Sequence, residues 1–153
     1  DAPTHKSVPH VKLLDFGLSS PEKPLYELKH NLSWGNSTKR LTLAEGGNLL
    51  LAFSQRESIV WDLDESPPRE YRIQLDPYFQ DAMFSADDRI LLVADGDGVG
   101  FYDWSNNREV YRLSYPGVVR QIVMHPDGKH FATVNGNGTV YLLRNPPLPI
   151  SRR

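Results

Sequence analysis

Cysteine is absent from the 153 residues, and with it go disulfide staples, a thiolate nucleophile and any cysteine-based zinc site. That absence points to the cytoplasm. Long apolar runs are missing as well: none is longer than that from Leu49 to Phe53, far short of the roughly 20 residues that cross a bilayer, so a membrane is not an expected partner. Charge is balanced. A formal net charge of −2 and an isoelectric point near 6.2 provide no clustered basic face for a phosphate backbone, so nucleic acid is not expected either. The terminal pair Arg152 and Arg153 reads as a solvated tail. Helix windows are scarce, because 12 prolines and several paired glycines interrupt each stretch long enough to hold one.

The chain opens at Asp1, without methionine or a charged and apolar leader, which predicts a processed, trimmed or excised stretch of something longer. Three acceptor sequons, at Asn31, Asn36 and Asn137, exceed the roughly one expected by chance by too little to argue for secretion. What remains is the composition of a folded domain, 39% hydrophobic and 24% charged. A chain of this length can bury roughly two-thirds of its unfolded surface.

The organising feature is a repeat. Four segments end in a hydrophobic residue followed by a polar one: Val11-Lys-Leu-Leu-Asp15, Ser58-Ile-Val-Trp-Asp62, Val99-Gly-Phe-Tyr-Asp103 and Val140-Tyr-Leu-Leu-Arg144. Their last positions are 47, 41 and 41 residues apart. A second marker keeps the same register. The polar turns Ala44-Glu-Gly-Gly47, Ser85-Ala-Asp-Asp88 and His125-Pro-Asp-Gly128 place Gly46, Asp87 and Asp127 at spacings of 41 and 40. A fixed period of about 40 to 45 residues is the signature of propeller blades.

Alternation and turn chemistry predict an antiparallel meander within each unit. The first complete unit reads as strands over Lys39 to Leu43, Asn48 to Ser54, Ser58 to Leu63 and Arg69 to Leu75. The second has Gln80 to Phe84, Arg89 to Ala94, Gly98 to Trp104 and Glu109 to Leu113. The third has Val118 to Met124, His130 to Val134 and Gly138 to Arg144. Ahead of them stand two strands of a partial unit, His10 to Phe16 and Lys23 to Leu28. The expected organisation is therefore a tail over 1–9, repeat units over 10–144 (10–28, 39–75, 80–113 and 118–144) and a tail over 145–153.

These units resemble WD40 repeats over about Val11 to Arg144. Trp61-Asp62 is the clearest copy of the name-giving dipeptide, Tyr102-Asp103 is a softened one, and HPDGKHFATVNGNGTVYLLR is the most repeat-like stretch. The resemblance implies an all-β fold of four-stranded antiparallel blades belonging to an incomplete β-propeller ring, about three and a half blades in all. The Gly-His pair that precedes the family's inner strand is missing, with only His30 in a comparable place, and Arg144 replaces the terminal Asp. The family's buried Asp-His-Ser-Trp hydrogen-bond network is accordingly not expected in full.

Motifs that could carry chemistry fall to simpler readings. Val11 to Leu18 resembles the strand and Asp-Phe-Gly of a protein kinase, in which Asp15 would hold magnesium. No glycine-rich phosphate loop, His-Arg-Asp loop or Ala-Pro-Glu accompanies it, and its register matches the third strand of a blade. Asp95-Gly-Asp97-Gly98 lacks the Glu that a calcium loop of the EF-hand kind needs about six residues beyond its glycine, and reads as a tight hairpin, as does Asn135-Gly-Asn137-Gly138. His5, His10, His30, His125 and His130 form no close ligand spacing. No catalytic constellation, cofactor or metal is expected, and so no enzyme.

Blade packing is the first reading for Trp34, Trp61 and Trp104. Function is sought instead on the disc face where the links between blades meet the turns between second and third strands. The candidate partner-binding set there is Trp34, Arg56, Tyr78, Phe79, Tyr115, Asn135 and Asn137, because aromatics and Arg are the usual anchors of protein interfaces. The expected function is a non-catalytic scaffold for protein partners. Two alternatives stand beside it: part of a propeller enzyme or a regulatory extension of a kinase polypeptide, and a half-propeller that closes with a second copy. The remaining blades of a longer chain are also expected neighbours.

Overall fold

The computed structural model describes residues 10–13, 26–29, 40–53, 58–75 and 78–148. Within them run thirteen strands and one 3₁₀ turn. A pair, β1 (His10–Leu13) and β2 (Tyr26–Lys29), precedes a four-stranded sheet of β3 (Arg40–Leu43), β4 (Leu49–Phe53), β5 (Ser58–Asp62) and β6 (Arg69–Ile73). A second four-stranded sheet holds β7 (Asp81–Phe84), β8 (Ile90–Ala94), β9 (Gly98–Asp103) and β10 (Arg108–Ser114). The third holds β11 (Val119–Met124), β12 (His130–Asn135) and β13 (Val140–Arg144). Every pairing is antiparallel between consecutive strands, so each sheet is a simple meander. No helix among the described residues is long and apolar enough to cross a membrane.

The first turn of each of the last three meanders is built the same way. Ala44, Ser85 and His125 each donate a backbone N–H to the carbonyl of the residue that closes the hairpin, Leu49, Ile90 and His130, at 2.9, 2.8 and 2.9 Å. The residue three further on donates back to each of them, and it sits at positive φ: Gly47 at 75°, Asp88 at 58° and Gly128 at 64°. Only the middle turn uses a side chain in this left-handed region, which short polar residues tolerate better than most.

Burial and the neighbouring Asp87 and Glu45 carboxylates push the Asp88 carboxyl above its ordinary range. A raised acid penalises the folded state once pH climbs past the unfolded value, and in acid the penalty is gone. Asp88→Asn should therefore stabilise the protein by about 0.5 kcal/mol at neutral pH and by nothing in strong acid. Thermal melts of both proteins across pH measure this directly.

Alternate residues of the central strands face opposite neighbours. On β4, Leu49, Leu51 and Phe53 enter one core while Leu50 and Ala52 enter another. On β8, Leu91 and Val93 face the first complete sheet, and Ile90, Leu92 and Ala94 face the third. With both faces covered, the period-two alternation collapses into the continuous apolar runs LLLAF and ILLVA, all ten residues of which are buried. The sheets stand side by side like blades, each shielding its neighbour, and the described residues form no closed ring.

One carboxylate ties the innermost strands together. Asp81, 3% exposed, accepts Arg40 Nη1 at 2.6 Å and Ala82 N at 2.9 Å on Oδ1, and Ile122 N at 3.0 Å on Oδ2. Arg40, Asp81 and Ile122 lie on β3, β7 and β11, each 41 positions after the one before. Thr42 Oγ1 adds a hydrogen bond to the Ala82 carbonyl at 3.1 Å.

Trp104, expected at the end of a strand, instead begins the 3₁₀ turn Trp104–Asn106. Asp103 stops the strand by capping this turn, accepting Asn106 N on its side chain. The turn sets the Trp104 indole against the β7–β8 turn of its own sheet, where Nε1 donates to the Asp88 carbonyl at 2.8 Å, and against Tyr71 of the preceding sheet, which it meets edge-on at 5.1 Å.

Candidate functional site

The links between sheets and the turns between second and third strands do share one face. Val119 N donates to Asp95 O at 2.9 Å, Tyr115 N to Asp97 O at 3.1 Å, and Gly136 N to Val118 O at 2.7 Å. These bonds fasten the 115–118 link to both flanking turns, so the loops stand on a stiff base.

On the edge strand β10 lies an arginine that the second sheet makes room for. Gly100 on β9 pairs with Arg112 on β10. A Cβ at Gly100 would come within 2.7 Å of Tyr102 Cε2 and 3.1 Å of Arg112 Nη2. Through that gap the guanidinium reaches three carboxylates: Asp95 Oδ2 at 2.6 Å and Asp97 Oδ1 at 3.0 Å from Nη1, with Glu109 held in a fork by Nε at 2.9 Å and Nη2 at 2.6 Å. The hydrogen bond from Arg112 lowers the Glu109 pKa, and the Glu109 carboxylate raises that of Arg112 in return. Burial, reinforced by Glu109, pushes the Tyr102 phenol up. Glu109 and Arg112 therefore stay charged, and the Tyr102 phenol neutral, across the physiological range.

Beside the cluster opens a cleft of about 390 Å³ lined by Tyr78, Asp95, Gly96, Asp97 and Arg112. Tyr78 stands 75% exposed at its rim. Two carboxylates, Asp95 and Asp97, against one guanidinium leave the cleft acidic. Among the described residues no group of His, Asp and Glu could hold a metal ion.

The candidate residues separate on this geometry. Tyr78 and Asn137 are exposed on the face, although Asn137 turns its side chain inward to bind Thr139 N and Oγ1 at 3.1 and 2.7 Å. Tyr115 is half-buried and meets Tyr141 edge-on at 5.4 Å. Phe79 and Asn135, chosen as contact residues, are instead 2% exposed each and belong to the interior. Phe79 packs on Phe53 with ring centroids 4.9 Å apart, and Asn135 Nδ2 donates to Thr139 Oγ1 at 3.0 Å inside its own turn. Both sit where the chain enters or leaves a strand, and there one residue decides whether a side chain points to solvent or core. Trp34, Arg56 and the Asp15-Phe16-Gly17 segment lie outside the described residues.

Sequence reasoning missed Asp95, Glu109 and Arg112. Their one visible signal was Gly100, a glycine inside an otherwise bulky strand, which commonly marks a close approach by another group.

No family model matches the sequence, and no curated protein matches it. Solved structures do. The Swd1 β-propeller domain of Myceliophteria thermophila is similar with a TM-score of 0.67 at 13% identity, over 84% of this chain and 44% of that one. A hydrazine synthase from Kuenenia stuttgartiensis is similar with a TM-score of 0.58 at 16% identity, over 68% of this chain and 31% of that one. The chain thus spans less than half the length of either structure. At these identities the likeness is one of fold: β-propeller blades.

Proposed function

We propose that this set of propeller blades is a non-catalytic platform that binds protein partners through the face carrying Tyr78. The observation behind the reading is an aromatic ring, 75% exposed, at the rim of an acidic cleft whose walls are fastened to packed sheets. A rigid aromatic beside fixed charge is the usual composition of an interface anchor. The acidic cleft favours a partner surface with basic side chains, and the stiff backing keeps the ordering cost of binding low.

The test is a comparison of surface variants on the intact chain. Tyr78→Ala combined with Asp97→Lys should lower affinity for any partner retained by the wild type at least tenfold, corresponding to an anchor worth about 1.4 kcal/mol. Circular dichroism and melting temperature should stay unchanged. Asp64→Ala, at a third-to-fourth-strand turn, should bind like wild type. Equal binding by the double variant would remove this face from consideration.

A further inference from the structure

The turn that joins β12 to β13 holds two asparagines, each followed by glycine: Asn135-Gly136 and Asn137-Gly138. An asparagine in this position can react with its own main chain, because no Cβ on the next residue keeps that residue's amide nitrogen away from the side-chain carbonyl. The reacting atoms belong to neighbouring residues, so the reaction is intramolecular and needs no partner. In a folded chain its progress depends on how firmly the attacking nitrogen and the side-chain amide are held.

The two sites stand in opposite surroundings. Asn135 is 2% exposed, and its Nδ2 donates to Thr139 Oγ1 at 3.0 Å. The N–H that would attack it, on Gly136, is given to the Val118 carbonyl of the link between sheets at 2.7 Å. Asn137 is exposed. Gly138 gives its N–H to Asn135 O at 3.0 Å, within the turn itself, and a Cβ there would meet nothing within 4 Å. Among the described residues nothing holds Asn137 Nδ2. Its Oδ1, by contrast, accepts two donors, Thr139 N at 3.1 Å and Thr139 Oγ1 at 2.7 Å. Attack on Cγ turns this oxygen into an oxyanion, and donors already in place stabilise that charge as it forms. Asn135 Nδ2, donating to the same hydroxyl, strengthens the bond that the hydroxyl makes to Asn137.

We propose that Asn137 is a site of spontaneous covalent modification, in which the Gly138 nitrogen closes a cyclic imide on the Asn137 side chain with help from Thr139, while Asn135 is shielded. The Gly138 nitrogen gives up its proton and bonds to Cγ. The Cγ–Nδ2 bond breaks, and Nδ2 leaves with that proton as ammonia. Water then opens the imide. Opening at Cγ gives aspartate, and opening at the main-chain carbonyl gives isoaspartate, whose main chain runs through the side-chain carbon. Either product sets a carboxylate on the face that carries Tyr78, and isoaspartate also lengthens the turn. The chemistry requires no binding partner, so it stands or falls apart from the role given to that face.

The test is peptide mapping of the intact chain after prolonged incubation at mildly alkaline pH. Fragmentation of the tryptic peptide His130 to Arg144 separates the two sites, and isoaspartyl methyltransferase reports isoaspartate. Asn137 should convert at least about tenfold faster than Asn135, where a buried hydrogen bond must break first. The rate should rise with pH, since the attacking nitrogen has to lose its proton. In urea the two sites should convert at equal rates, because the difference between them belongs to the fold. Thr139→Val should slow conversion at Asn137 about fivefold, the worth of one hydrogen bond, and Thr139→Ser, which keeps the hydroxyl, should match wild type. Equal rates at the two sites in the folded chain, or no conversion of Asn137 there while it proceeds in urea, would overturn the proposal. So would a faster reaction in folded Thr139→Val, which would make Thr139 a restraint on Asn137.

Discussion

Asp81→Ala is expected to lower stability by about 3 kcal/mol, the cost of stripping a buried hydrogen-bonded acceptor from groups that cannot find water. The carboxylate is 3% exposed and serves three donors on consecutive innermost strands. The Ile122 N–H is the important one, because it is buried and its acceptor cannot be replaced by solvent. Arg40 matters less: its side chain is 47% exposed, so Arg40→Ala should cost under about 1 kcal/mol. Asp81→Asn should recover only part of the loss, since its amide offers a donor where two donors already converge. Urea unfolding reads all three variants, with a lower midpoint and an unchanged slope expected for each. Equal losses for Arg40→Ala and Asp81→Ala would show that the exposed ion pair, and not the link to the third sheet, carries the effect.

Arg112→Ala should cost about 2 to 3 kcal/mol, because it leaves the Asp95 carboxylate buried without its cation. The Asp95 side chain is 7% exposed and the arginine 27%, so solvent can offset only part of the loss. Lysine should rescue little. A single ammonium cannot hold Glu109 in a fork and reach Asp95 at once. The pH dependence has a definite sign. Glu109 titrates below its ordinary range, so the stability it confers is present above the unfolded carboxylate pKa and is lost as pH falls through the lower folded one. The gap between wild type and Arg112→Ala should accordingly be widest near neutral pH and narrow in acid. A gap that stays constant across pH would mean that the arginine acts through packing alone.

Much of the architecture was legible because it is repetitive. Two markers at one spacing, third strands ending in Asp62 and Asp103 and turns at Gly46, Asp87 and Asp127, were sufficient to place the meanders before any coordinates. That the runs LLLAF and ILLVA are buried on both faces emerged only from the packing of sheet on sheet. Strand ends were less legible. Asp103 stops β9 one residue early because it caps the turn that holds Trp104, and a cap depends on local hydrogen bonding that a hydrophobic pattern does not register.

The site was the least legible part. Tyr78 was recognised as a loop aromatic and is exposed, whereas its neighbour Phe79 points into the core against Phe53. Adjacent residues in a link have no period to separate them, and only the path of the chain into β7 decides which one faces water. Arg112 and Asp95 are 17 residues apart in the chain and meet because a register pairs Gly100 with Arg112.

The sequence by itself determined that this chain is made of antiparallel meanders recurring at one spacing, because period, turn residues and apolar runs are local properties written along the chain. Which side chains meet across that repeat was decided only by the tertiary structure: Asp81 joining three sheets and Arg112 gathering three carboxylates. Those encounters join residues up to 41 positions apart. Whether any two of them touch depends on the pairing register and on how sheet packs against sheet, and neither quantity exists until the chain has folded.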